Sequence, residues 1–350
     1  MVKRLVFAVP GDLATPTGGY AFDRRIIAEL EKLQWTIEVI DLGSDFPWPA
    51  KATREHAAAR LAMTPEGSTV MIDGLALGTL PEAARRLRPN HTLVALVHHP
   101  LAMETGINAS QADILRASER SALAAARHVI VTGKTTADQL IAEYNVPADK
   151  ITIVLPGTDT TGFSAGSRDG IVRILSVGAI VPRKGFDVLI TALGAIRELP
   201  WRIVIAGDRT RHPETAARLD DQIARLELGE RVILEGAVAS SRLQQLYLDS
   251  DLFALASRYE GYGMAYGEAV AHGLPVIGTR VGAAADLVPP GAGILVSPED
   301  PVSFAQALRR LIENPNERSR AAAAARAAAE KLPKWEEAAR ILAVALESLR

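Results

Sequence analysis

The sequence predicts an α/β protein of two successive Rossmann-like domains, each a parallel sheet covered by helices. Three observations predict it. Short β-branched runs alternate with Ala/Leu/Arg/Glu-rich helical stretches along the whole chain, the pattern of strand–helix–strand units. The 350 residues exceed the roughly 250–300 at which a single core stops growing. Near the middle, PGTDTTGFSAGSRDG carries Gly, Ser, Thr and Asp with almost no apolar period, as an interdomain linker does.

In the first half the expected strands are KRLVFAV, TIEVIDL, TVMIDGL, HTLVALVH, HVIVTG and ITIVLPG, with helices such as AFDRRIIAELEKL and QADILRASERSALAAA between them. After the linker the alternation restarts with VRILSVG, RIVIAGD, RVILEGA, LFALAS, LPVIGT and GILVS. The domains are therefore expected at residues 1–162 and 163–330, and each should bind ligands at the carboxyl ends of its strands, leaving a cleft between the facing edges. The last stretch reads as two helices broken near Pro333, its alanine runs being good helix formers.

Composition narrows the chemistry. With 39 basic against 41 acidic side chains there is no global field for nucleic acid or an anionic membrane, so any anion must be held locally. The absence of cysteine excludes disulfides, thiolate metal sites and thiol catalysis. The opening MVKRLVFAVPG lacks a cleavage pattern and no run approaches ~18 apolar residues, which makes a soluble cytoplasmic protein the simplest expectation.

Four places carry candidate chemistry. The first strand is followed by Thr17-Gly18-Gly19 at a helix start, where backbone can approach a ligand; glycine is also common there for geometry alone. No G-x-G-x-x-G follows that strand and no G-x-x-x-x-G-K-[ST] occurs, so nicotinamide-dinucleotide binding and P-loop chemistry lose their usual support. The second half opens SVGAIVPRKGFD, whose Arg183 and Lys184 lie between a strand end and a helix. They suit a departing pyrophosphate about as well as they suit a solvated basic loop. In SRYEGYGMAYGE, Glu260 falls in a Gly-flanked loop and Glu268 in the first turns of the next helix. A carboxylate accepts two parallel hydrogen bonds and so fits a vicinal diol. A plainer account makes Glu268 a complement to the helix dipole and Glu260 a surface charge, which leaves the glycine spacing unexplained. Finally, His98 and His99 end an apolar strand before Pro100; a strand-end histidine is more often structural than catalytic, yet that end faces the expected cleft.

The run SRYEGYGMAYGEAVAHGLPVI resembles the E-x7-E signature of retaining glycosyltransferases with the GT-B fold, most closely family 4. TPTGGY, VHHPLAMETG, VTGKTTADQL, ITIVLPGTD, VGAIVPRKGFDVLI, AGD and GILVSPED stand in that family's order. The resemblance implies that Glu268 binds the ribose hydroxyls of a nucleotide sugar and Glu260 the hydroxyls of the transferred hexose. Gly261, Tyr262, Gly263 and Met264 would contribute backbone contacts to the donor, beside the strand-end Gly178, and Arg183 and Lys184 would neutralise the pyrophosphate. His99, ahead of His98, would contact the donor sugar, and Gly18 and Gly19 would line the acceptor side. Residues 331–350 would cross back to the first domain, with Trp335 near the crossing.

Two departures stand out. Ala179 occupies a place where the family often has Arg, and Val281-Gly282 with Asp286 replaces a frequent glycine pair and glutamate. The function implied is retaining transfer of a hexose from a nucleoside diphosphate sugar, UDP- or GDP-sugar first, to an acceptor hydroxyl, without metal or other cofactor. A GT-B epimerase, a phosphorylase or a non-catalytic sugar-nucleotide sensor are the competing classes. The acceptor, whether saccharide, lipid-linked or small molecule, is not named by the loops DFPWPAKATREH and PLAMETGINAS. Arg85, Arg86 and Arg88 admit weak membrane-surface association, although a solvated helix end is commoner. Monomer and homodimer are equally compatible with the sequence.

Overall fold

The structure, a computed structural model, describes residues 3–104, 106–159 and 161–349. Met1, Val2, Thr105, Arg350 and Thr160 of the expected linker lie outside the described residues. The chain divides into unit 1, residues 1–157 with 333–350, and unit 2, residues 158–332. The first boundary lies five residues before the expected 162/163. Residues just past it bond into unit 2: the Thr161 hydroxyl meets His272 Nε2 at 3.2 Å, and Ser164 donates to the Ser250 carbonyl at 2.5 Å.

In unit 1 the strands are β1 (Lys3–Val9), β2 (Trp35–Asp41), β3 (Thr69–Asp73), β4 (Thr92–Val97), β5 (His128–Val131) and β6 (Ile151–Ile153). Its helices are α1 (Gly18–Lys32), α2 (Lys51–Ala62), α3 (Gly74–Leu77), α4 (Pro81–Leu87), α5 (Ala109–Ala125) and α6 (Lys134–Tyr144). All strand pairs are parallel in the order β2-β1-β3-β4-β5-β6. The central strands are apolar and buried on both faces, as a helix-covered parallel sheet requires.

Unit 2 repeats the plan with β7 (Val172–Val177), β8 (Trp201–Ala206), β9 (Val232–Gly236), β10 (Leu252–Leu255), β11 (Val276–Thr279) and β12 (Gly293–Val296). Its helices are α7 (Phe186–Gly194), α8 (Pro213–Arg225), α9 (Ser240–Leu248), α10 (Met264–Ala271), α11 (Ala284–Leu287), α12 (Pro301–Glu313) and α13 (Pro315–Ala329). The sheet order β12-β11-β10-β7-β8-β9 reverses direction between β7 and β10, and in unit 1 the order reverses between β1 and β3. Those reversals leave crevices beyond the strand carboxyl ends, where open α/β sheets bind ligands.

The chain ends in α14 (Trp335–Ser348), which belongs to unit 1 and packs on α1. Trp335 is buried there, its ring 5.8 Å from that of Phe22 and 5.2 Å beneath the Arg25 guanidinium. Only glycine fits at 157, because a side chain there would place its Cβ 2.3 Å from the Trp335 backbone nitrogen. Among the described residues no helix is long and apolar enough to cross a membrane.

Candidate active site

In unit 2 the β7–α7 connection folds as a single tight turn, Pro182–Lys184, closed by Gly185. The β10–α10 connection runs beside it, so residues 76 apart in sequence meet at the sheet reversal. Lys184 Nζ lies 2.6 Å from Glu260 Oε1 and Arg183 Nη1 lies 3.6 Å from Glu260 Oε2. Ser257 donates to the same carboxylate at 2.6 Å, and Arg183 donates to the Tyr259 carbonyl at 3.0 Å. Glu260 is thus a buried residue, and the reading of it as a surface charge is corrected. Burial pushes its carboxyl up, but Lys184 and then Arg183 outweigh that and hold it below its ordinary value.

The loop backbone is built for close approach. At Gly282 φ is +52°, and a Cβ there would sit 1.6 Å from the Glu260 carbonyl oxygen, so the one glycine kept from the family's pair is a steric requirement of the loop. Gly263, at φ +91°, caps α10 without a side chain and leaves the helix's first N–H groups uncovered by any cap. Tyr262 and Gly261 are buried just before it, and Met264 is half-buried. Gly178, at the end of β7, lies against the Lys184 side chain, whose Cε a Cβ there would meet at 3.0 Å.

Glu268 sits one turn into α10, apart from the Glu260 cluster. Tyr247 donates to its Oε2 at 2.8 Å, while His272 stacks on Tyr247 with 4.8 Å between ring centroids. Burial raises the Glu268 carboxyl to about 7, against the smaller opposing pull of Tyr247.

Sequence reasoning missed Arg258. It donates to the Pro182 carbonyl at 2.6 Å, makes a two-pronged contact with Asp187 at 2.9 and 2.7 Å, and reaches Glu299. Its backbone N–H also donates to the Arg183 carbonyl at 2.8 Å. Arg258 therefore fixes the turn that carries both cations. The signal available was its place two residues before Glu260 in a stretch with no other basic side chain.

In unit 1 the two histidines part company. His99 turns to Glu104, Nε2 to Oε1 at 2.5 Å. His98 turns inward: its Nε2 lies 3.2 Å from Asp23 Oδ1 and 3.5 Å from Asp73 Oδ2. Thr17 caps α1 by accepting from the Tyr20 N–H. Gly18 is exposed at the helix start, and Gly19 makes room for the ring, since a Cβ there would meet His98 Cδ2 at 3.2 Å. Asp23 and Asp73 were not singled out from sequence; Asp23 stands on the inner face of α1, which also buries Glu29, and Asp73 ends the apolar strand β3.

Against this geometry the relatives are informative. A profile described as Glycosyltransferase Family 4 matches residues 72–161, and one described as Glycosyl transferases group 1 matches residues 158–328. The chain belongs to this glycosyltransferase family. Among solved structures, a sucrose-phosphate synthase from Thermosynechococcus elongatus superposes with a TM-score of 0.84 at 19% identity, covering 99% of both chains. HepE from Anabaena, solved with UDP and glucose, gives 0.77 at 20% identity over 99% of this chain and 100% of its own. At such identities the likeness establishes the GT-B fold.

A curated relative, the D-inositol 3-phosphate glycosyltransferase of Xylanimonas cellulosilytica, is 30% identical over 238 residues, 63% of this chain and 57% of the relative. The chain spans 52–59% of the first such relatives it matches. As in the family 4 signature, the chain carries its two glutamates on one loop and one helix start, and their hydrogen-bond partners differ. Glu260 is bound up with the two cations, whereas Glu268 meets Tyr247. Asp286 lies on α11, in the place of the family's frequent glutamate.

Proposed function

We propose that this protein transfers a hexose from a nucleoside diphosphate sugar to an acceptor hydroxyl, with retention at the anomeric carbon. The observation that carries the reading is the convergence of Lys184 and Arg183 on Glu260 at the strand reversal of unit 2, in the loop that leads into α10, a helix with no side-chain cap. Fixed cations in a partly desolvated crevice are suited to the charge that builds as a pyrophosphate leaves. Because they supply that charge balance, the reaction needs no metal. The leaving phosphate takes the acceptor proton, and Glu260 orients hexose hydroxyls.

Glu268 then addresses the ribose. The HepE neighbour, solved with UDP-glucose, supports a UDP-sugar as first choice of donor, with a GDP-sugar next. We take the enzyme to act in the cytoplasm on an acceptor bound by unit 1. Incubation with UDP-, GDP- and ADP-sugars, with and without EDTA, tests the reading. Slow nucleotide release from one donor that EDTA leaves unchanged is the expected result; tight binding without release from any of them would point to a sensor instead.

A further inference from the structure

The group around His98 has a charge arithmetic that the transfer reading does not use. Asp23, from α1, is fully buried and its Oδ2 has no hydrogen-bond partner among the described residues. Asp73, from β3, accepts from the Leu75 N–H at its Oδ1 at 2.7 Å and turns its other oxygen to His98. Two uncharged groups also meet the ring: Phe22 stands edge-on with centroids 5.4 Å apart, and Gly19 lies over it. The hydroxyls of Thr132 and Thr136 donate to the His98 carbonyl at 3.3 and 3.4 Å, and neighbouring His99 is turned away to Glu104. A fully buried carboxylate with an oxygen left unpaired is destabilising by itself and is tolerated against a nearby positive charge or by taking up a proton.

Both carboxylates address the same ring nitrogen, Nε2, and no described residue bonds to Nδ1. We propose that Asp23 and Asp73 are positioning residues that keep the His98 ring charged, so that Nδ1–H offers a cationic hydrogen bond to a ligand oxygen and the ring never serves as a base. Burial pushes the ring's pKa down, but the hydrogen bond and charge of Asp23, followed by those of Asp73, carry it up to about 10. Burial also lifts Asp23 to about 7, so the cluster takes a second proton as the pH falls through neutrality while the ring stays charged. The ligand class this favours is an electron-rich oxygen, a sugar hydroxyl or a phosphate oxygen, rather than a group that must give up a proton to His98.

The proposal deepens the glycosyl-transfer reading, but its first test is independent of turnover. Imidazole signals of the full chain are titrated by NMR from pH 5 to 9, with His98→Gln assigning the His98 signal. The expected result is a ring that stays charged across the range, and a midpoint that drops by at least one pH unit in both Asp23→Asn and Asp73→Asn. A His98 midpoint near the ordinary ~6.5 in the unaltered protein overturns the proposal. The second readout is nucleotide release against pH. Asp23→Asn should gain a falling limb on the alkaline side and return to within about threefold of the unaltered rate at pH 5.5. A loss equal at every pH would make Asp23 merely structural and overturn its positioning role. Absence of release from every donor would count against glycosyl transfer, while the titration would still decide the state of His98.

Discussion

Each unit places a charge cluster beyond the carboxyl ends of its middle strands, with opposite proportions. In unit 2 two cations converge on one carboxylate; in unit 1 two carboxylates converge on one imidazole. Both bury the anions deepest. The Glu260 side chain is 5% exposed under Lys184 at 13% and Arg183 at 17%, while Asp23 and Asp73 are 0% and 5% exposed under His98 at 19%. Each site thus turns its positive side outward. What differs is permanence. Lysine and arginine give unit 2 a charge fixed across the physiological range, whereas the positive face of unit 1 is a proton held in place by its neighbours.

That contrast can be broken most forcefully at Lys184. Lys184→Ala should slow transfer by on the order of a hundredfold or more, the effect of losing one preorganised electrostatic donor, at all pH values alike. Near-normal turnover would remove Lys184 from the chemistry. Glu268→Ala should weaken donor binding by roughly 10- to 100-fold, as expected for hydrogen bonds to a charged group, with less effect on the rate at saturation. Calorimetry returning an unchanged donor affinity would contradict the ribose role.

Arg258→Gln should act through the turn it ties down. The expected loss is about tenfold in turnover, on the view that misplacing a positioned group costs rate even without contact to substrate. If unfolding temperature falls but turnover per folded molecule does not, Arg258 is only a staple.

The smallest effect concerns Glu119 on α5, which is buried and accepts from the Leu101 N–H at 2.9 Å just beyond the two histidines. Burial lifts its carboxyl to about 8. Between the unfolded value near 4.5 and 8 the folded state holds the extra proton, so stability falls as the pH rises through that window, by at most about 1.4 kcal/mol per unit. Glu119→Gln should flatten this slope in urea titrations at pH 5 and 8; an unaltered slope would assign it elsewhere.

Much of the architecture was legible in the order of residues. Every strand falls on one of the apolar β-branched runs that announce it, β2 and β8 each beginning one residue earlier, at Trp35 and Trp201, because a strand covered on both faces is mostly apolar. Arg183, Lys184 and Glu260 were legible for a related reason: each lies in the loop that leads from a strand to the next helix, and such loops at a sheet reversal converge. Asp23 and Asp73 were not. Their meaning depends on β1, β3 and β4 lying side by side, and an acid on a helix's inner face or at a strand end carries no such address. Choosing between His98 and His99 failed to be a sequence question for the same reason, since adjacent residues on an extended chain point to opposite sides and only the packing says which side holds the acids.

The return of α14 to unit 1 has a consequence for how the chain is made. Phe22, Arg25 and Gly157 are synthesised long before the tryptophan that covers them, and the whole of unit 2 is threaded between. During vectorial synthesis unit 2 can close on itself as soon as residue 332 has emerged, whereas unit 1, although first in sequence, holds an uncovered face on α1 until the last helix arrives.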